Sequence, residues 1–110
     1  MSEQEKLNVL KNILDNVILN IKKQDFLVYF RVISIIEIKN DTLVFWVQSK
    51  FMQWNLIAKF YDVIKEASKK VLSNIKDIDF KIDNNIENPS NKNAIDCTNY
   101  YKETTKTKKS

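Results

Sequence analysis

The sequence predicts a small α+β domain, and three observations predict it. Apolar residues recur three and four apart over 5–22 and again over 50–73, the spacing of helices with one buried face. Between those stretches, two β-branched and aromatic runs flank Asn40-Asp41, the pattern of a hairpin. After the second stretch, Ile78, Phe80 and Ile82 alternate with Asp79, Lys81 and Asp83, which reads as a half-buried strand.

The elements follow in order. Leu7, Leu10, Ile13, Leu14, Val17, Ile18 and Ile21 mark the buried stripe of a first helix from about Glu5 to Lys22. Asp25 then opens a short second helix carrying Phe26, Tyr29 and Phe30, its carboxylate suited to the positive end of the helix dipole. Val32 to Ile38 and Leu43 to Val47 form the hairpin, because Asn and Asp accept the positive φ that a tight turn demands. Ser49 caps a long helix from Lys50 to about Ser73, with Phe51, Trp54, Ile57, Ala58, Tyr61 and Ile64 on its apolar face. That helix is long enough for a crossover, so the third strand should lie parallel to the second or to the second's neighbour in a three-stranded sheet covered by helices. Residues 1–83 make the domain. Residues 84–110 are rich in Asn, Thr, Ser and Lys and read as a flexible linker or tail.

Composition removes several classes of function. With no Gly among 110 residues, neither a phosphate-cradling loop nor a dinucleotide fingerprint can be built. With no His, serine and cysteine triads and most zinc sites are excluded. Cys97 is the single cysteine, so no disulfide framework is expected, which suits a cytoplasmic protein. Asp77, Asp79 and Asp83 lack the Gly turn and closing Glu of a calcium loop, and no metal is assigned. No apolar run reaches the length of a membrane span, and the start lacks the pattern of a secretory signal. The reading is of a binding module rather than an enzyme.

The residue pattern Asp25-Phe26 with Tyr29, NDTLVFWV at 40–47 and SKFMQW at 49–54 resembles domain I of the DnaA family of bacterial chromosomal replication initiators. The resemblance covers about residues 7–83, and the tail looks like the start of the flexible second domain of that family. The chain departs from the family where Leu10 and Tyr29 replace tryptophans and where Gln48-Ser49 replaces a Pro-Asn pair. What the resemblance implies is a KH-like fold and a protein–protein interaction domain. It would recruit the replicative helicase and initiator regulators and support self-association at the origin. Origin DNA and ATP would be bound by domains of the parent protein outside these residues, leaving no cofactor here.

The resemblance implies helicase contact for Asp25 and Phe51. From the residues alone, Asp25 also reads as a helix-start carboxylate, and Phe51 on its apolar helical face reads as a core side chain, a reading that the resemblance brings level with helicase contact. Leu7 and Leu10 are the candidates for self-association, against the reading that the stripe is simply core. Trp46, Lys59, Lys69 and Lys70 are candidates for weak single-stranded DNA binding, against sheet packing and a solvated helical face. A free-standing KH-like nucleic-acid binder is the alternative function, although a KH clamp needs a GXXG loop. The C-terminal module of the bacterial clamp-loader tau subunit is a third, which would end its chain rather than start it.

Overall fold

Ser2 opens the first helix with a reciprocal cap: its hydroxyl accepts from the Glu5 amide and the Glu5 carboxylate accepts from the Ser2 amide. In the computed structural model, which describes residues 2–82 and 94–108, helix α1 then spans Glu3–Ile18. It stops short of the expected Lys22. Asn16 and Asn20 donate their side-chain amides to the carbonyls of Asn12 and Asn16, and the Asn20 backbone amide bonds the Val17 carbonyl three residues back, where the α-helical ladder has ended. Helix α2 (Lys23–Tyr29) follows, with Asp25 in its first turn and no side-chain cap.

Strands β1 (Val32–Lys39) and β2 (Thr42–Val47) pair antiparallel around Asn40 and Asp41. Both turn residues are left-handed, at φ 52° and 64°, so the hairpin forms without glycine. A bulge at Ile36 sits between the Ile35–Phe45 and Glu37–Val44 pairs.

The expected single helix over 50–73 is two helices, α3 (Lys50–Lys59) and α4 (Tyr61–Val71). Ser49 caps α3 as expected, accepting from the Met52 amide. The break falls at Phe60, which leaves helical geometry at φ −124° and ψ 8° and packs its ring against Tyr29 and Phe30. No Pro or Gly lies at the break, and Phe60 keeps its amide bond to the Leu56 carbonyl. The break also changes which residues face inward. On α3 the buried residues are Met52 and Leu56, while on α4 they are Ile64, Ala67 and Ser68.

Strand β3 (Asp77–Ile82) lies parallel to β2, with Phe45 stacked on its register partner Phe80 at 5.3 Å. The sheet differs from the expected one by a strand. Its order is β3-β2-β1-β4, because β4 (Ile95–Asp96) pairs with β1 on the side away from β2. Helix α5 (Cys97–Lys108) follows directly, with the Asp96 carboxylate accepting from the Thr98 and Asn99 amides. The result is an α+β domain with a four-stranded mixed sheet.

The flexible-tail reading of 84–110 is thereby corrected for part of its length. Residues 84–93 and 109–110 lie outside the described residues, but Ile95 and Cys97 are buried in the main core beside Leu10, Phe26 and Ile33. Burial in apolar surroundings pushes the Cys97 thiol well above its ordinary range, so it behaves as a small hydrophobe. Composition misses this segment because two buried anchors suffice when the slot that receives them is already built.

Candidate partner-docking surface

The docking candidate is built on α3, whose inner residues Met52 and Leu56 are fully buried under the sheet and helices. That orientation forces the other side of the helix outward. Phe51 is 56 % exposed, Trp54 75 % and Ile57 46 %. Exposed large apolar side chains grouped on one helical face are the pattern of an interaction site, whereas single ones are ordinary.

Neighbouring elements hold this face in place. Phe51 stacks on Tyr29 of α2 at 6.0 Å, with ring planes 19° apart. Tyr29 also meets Phe60, and Lys59 places its ammonium 4.6 Å from the Tyr29 ring centre while donating to the hydroxyl at 3.0 Å. Lys59, Tyr29 and Phe51 thus form one stack across the α2–α3 junction. On the other side of Lys59, a shallow open groove is lined by Leu19, Lys22, Asp25, Lys59 and Val63. Asp25 and Phe51, far apart in sequence, therefore sit at two ends of one surface with Lys59 and Tyr29 between them.

The remaining candidates are placed differently. Leu10 is 1 % exposed and belongs to the core, so it offers no surface for self-association; Leu7 is half-buried and packs against the same core. Trp46 is only 6 % exposed. Both faces of β2 are buried, which removes Trp46 as a stacking platform. Lys69 and Lys70 lie exposed in the last turn of α4, away from the aromatic stack, where they complement the negative end of the helix dipole. Lys65 is turned toward the β3 start, 3.9 Å from the Asp77 carboxylate.

Sequence reasoning missed Trp54 and Ile57, which it placed in the core. The signal that finds them is the competing set Met52, Leu56 and Phe60, spaced by four, whose burial leaves 51, 54 and 57 outside.

Strand edges, the other common route to a partner, are closed in part. The amides of Ile78 and Phe80 on the edge strand β3 donate at 2.8 Å to the carboxylates of Asp77 and Asp79, and Gln53 donates to the Phe80 carbonyl at 2.8 Å. Such local bonds occupy groups that a second strand would need. At the opposite edge β4 covers the Val32–Ile33 end of β1. Asp77 and Asp79 are thus engaged with backbone amides, and Asp83 lies outside the described residues. Among the described residues no group of three His, Cys, Asp or Glu side chains is placed to hold a metal ion. Nor, among them, is any helix long and apolar enough to cross a membrane.

Among the described residues, the α2–α3 face combines an aromatic stack, exposed apolar side chains and a flanking carboxylate. The chain matches no known protein-family model, and no curated protein matches its sequence.

Proposed function

We propose that this chain is a protein-docking module, the N-terminal interaction domain of a DnaA-like replication initiator, and that its α2–α3 face binds the replicative helicase. The observation that carries the reading is the exposure of Phe51 beside Tyr29 and Lys59, with Asp25 on the same surface. An aromatic side chain held rigidly by its neighbours loses little entropy on binding, and such anchors dominate interface energetics. A carboxylate at the border adds orientation and on-rate more than affinity. The module acts by raising the local concentration of its partner in the cytoplasm. ATP and origin DNA belong to other domains of the parent protein, and initiator regulators would compete for or extend the same face.

The alternative reading, a single-stranded nucleic-acid binder, retains the lysines Lys59, Lys69 and Lys70 but loses Trp46 to burial. One experiment separates the two. The immobilised chain is titrated with the replicative helicase of its own organism and with single-stranded DNA at two salt concentrations. Helicase binding that falls about tenfold or more in both Asp25→Ala and Phe51→Ala, with circular dichroism retained, supports the docking reading. Helicase affinity unchanged in both variants rejects the site. Submicromolar DNA binding with a steep salt dependence favours the alternative.

A further inference from the structure

Helix α2 has only seven residues and no side-chain cap, so it is too short to hold its own shape and takes its position from what packs on it. Helices α3 and α5 both do. On one side, Tyr29 joins the Lys59–Tyr29–Phe51 stack of the docking face, and Asp25 lines the adjoining groove. On the other, the buried Phe26 meets Tyr101 of α5 at 5.9 Å, and the Lys23 ammonium lies 5.7 Å from the Tyr101 ring centre. The segment 94–102 that brings Tyr101 there is fastened at four more points. Ile95 pairs with Ile33 in the sheet, the Cys97 amide donates to the Arg31 carbonyl at 2.8 Å, and the Cys97 side chain is fully buried. The Tyr100 hydroxyl donates to the Asp15 carboxylate of α1 and lies 3.0 Å from the Lys11 carbonyl.

We propose that residues 94–102 form a strap that positions α2, so that the docking of this strap and the assembly of the α2–α3 docking face are coupled. The inference rests on the docking reading for its functional meaning and on the packing of α2 for its mechanism. The strap is the element suited to opening by itself. It joins the sheet by two residue pairs, whereas β2 is paired along its whole length on both sides. A ladder of two pairs opens at a lower free energy than a central strand paired on both sides. When the strap leaves, Phe26 loses one wall, and Asp25 and Tyr29 move with the helix that carries them. Coupling of this kind is reciprocal: a partner that holds Asp25 and Tyr29 also holds the strap closed.

Cys97 reports the opening, since it is the sole cysteine and is buried only while the strap is docked. The test uses the full chain and two variants. Tyr100→Phe removes only the hydroxyl bonds to α1, and Tyr101→Leu removes the ring from Phe26 and Lys23 while keeping bulk. Three quantities are read: the rate of Cys97 alkylation by iodoacetamide, the backbone amide shifts, and hydrogen exchange at Phe45 as a monitor of global opening. The expected result is alkylation faster by about tenfold or more in at least one variant with Phe45 exchange unchanged, the behaviour of local opening. The amides of Asp25, Tyr29 and Phe51 should shift in that variant. Faster alkylation with those three amides at their wild-type positions overturns the coupling. Alkylation and Phe45 exchange rising together overturn the strap as a separate unit, as does a wild-type alkylation rate in both variants. Added helicase should slow Cys97 alkylation in the wild-type chain. If the helicase does not bind the wild-type chain at all, the docking reading fails, and the amide shifts and alkylation rates still decide the coupling.

Discussion

Helices α3 and α4 come from one continuous run of sequence and end as opposites. The outer face of α4 is charged, with Asp62, Glu66, Lys69 and Lys70 in solvent. The outer face of α3 carries Phe51, Trp54 and Ile57. Both helices bury an inner stripe, so both meet the needs of folding; only α3 keeps apolar surface that folding does not use. Their anchoring differs as well. The start of α4 is tied to β3 by the Tyr61 hydroxyl, which donates to the Asp77 carboxylate, and by Lys65. The outer side of α3 is tied to α2 through the Phe51–Tyr29 stack and the bond from Lys59 to the Tyr29 hydroxyl. Surface retained without a folding role is what a docking site requires, and the contrast favours α3 as the proposed docking face.

The largest expected effect tests whether the two inner faces are equivalent. Leu56→Ala on α3 and Ile64→Ala on α4 each remove a fully buried side chain and should each lower the unfolding free energy by roughly 2–5 kcal/mol, as cavity-forming core changes do. Urea denaturation measures both, and a negligible loss at Leu56 would mean that α3 is turned the other way.

Phe51→Ala should be next. Helicase affinity should fall about tenfold to a hundredfold, roughly 1.4–2.7 kcal/mol. Stability should change by no more than about 1.5 kcal/mol, the scale of one aromatic pair. A loss of stability as large as that of Leu56→Ala would place Phe51 in the core and end the contrast between the helices.

A smaller effect comes from the α4 anchor. The hydrogen bond between Tyr61 and Asp77 favours the neutral phenol and the charged carboxylate, raising Tyr61 above its ordinary 10.0 and lowering Asp77 below its ordinary 3.8. Stability from the carboxylate is fully present above 3.8 and is lost as pH falls through the lowered folded value. Stability from the phenol is fully present below 10.0 and is lost as pH rises toward the raised folded value. Tyr61→Phe should therefore cost about 1 kcal/mol or less near neutrality, because the pair lies at the surface. The gap from wild type should close at both pH extremes. Melting curves from acid to alkali check this, and a gap independent of pH would show that packing of the ring, not the bond, holds α4.

The smallest effect is expected outside. Trp54→Ala and Lys70→Gln should each shift stability by no more than about 0.5 kcal/mol. They should part in fluorescence, since Trp54→Ala removes the solvent-exposed emitter and leaves the buried Trp46. A single blue-shifted band in the wild-type chain would contradict the exposure of Trp54.

Much of the fold was legible. The alternation at 78–82 and the 3–4 spacing of the first helix reflect local geometry, and Asn40-Asp41 is a turn because those side chains tolerate positive φ. The site was legible only in part. Asp25 and Phe51 stand on one surface, yet Leu10 and Trp46 were drawn from the same kind of apolar pattern and are buried. A period shows that one face is buried without saying which, once a helix is apolar on both sides.

The sequence by itself therefore determined the α+β class, the hairpin, the parallel third strand, and the absence of Gly and His from any chemistry of the chain. These follow from composition and from contacts between near neighbours. The tertiary structure alone decided the break at Phe60, the outward turn of Phe51 and Trp54, and the return of Ile95 and Cys97 to the core. Each depends on residues far apart in the chain competing for the same buried volume, and that competition is settled only when the elements pack.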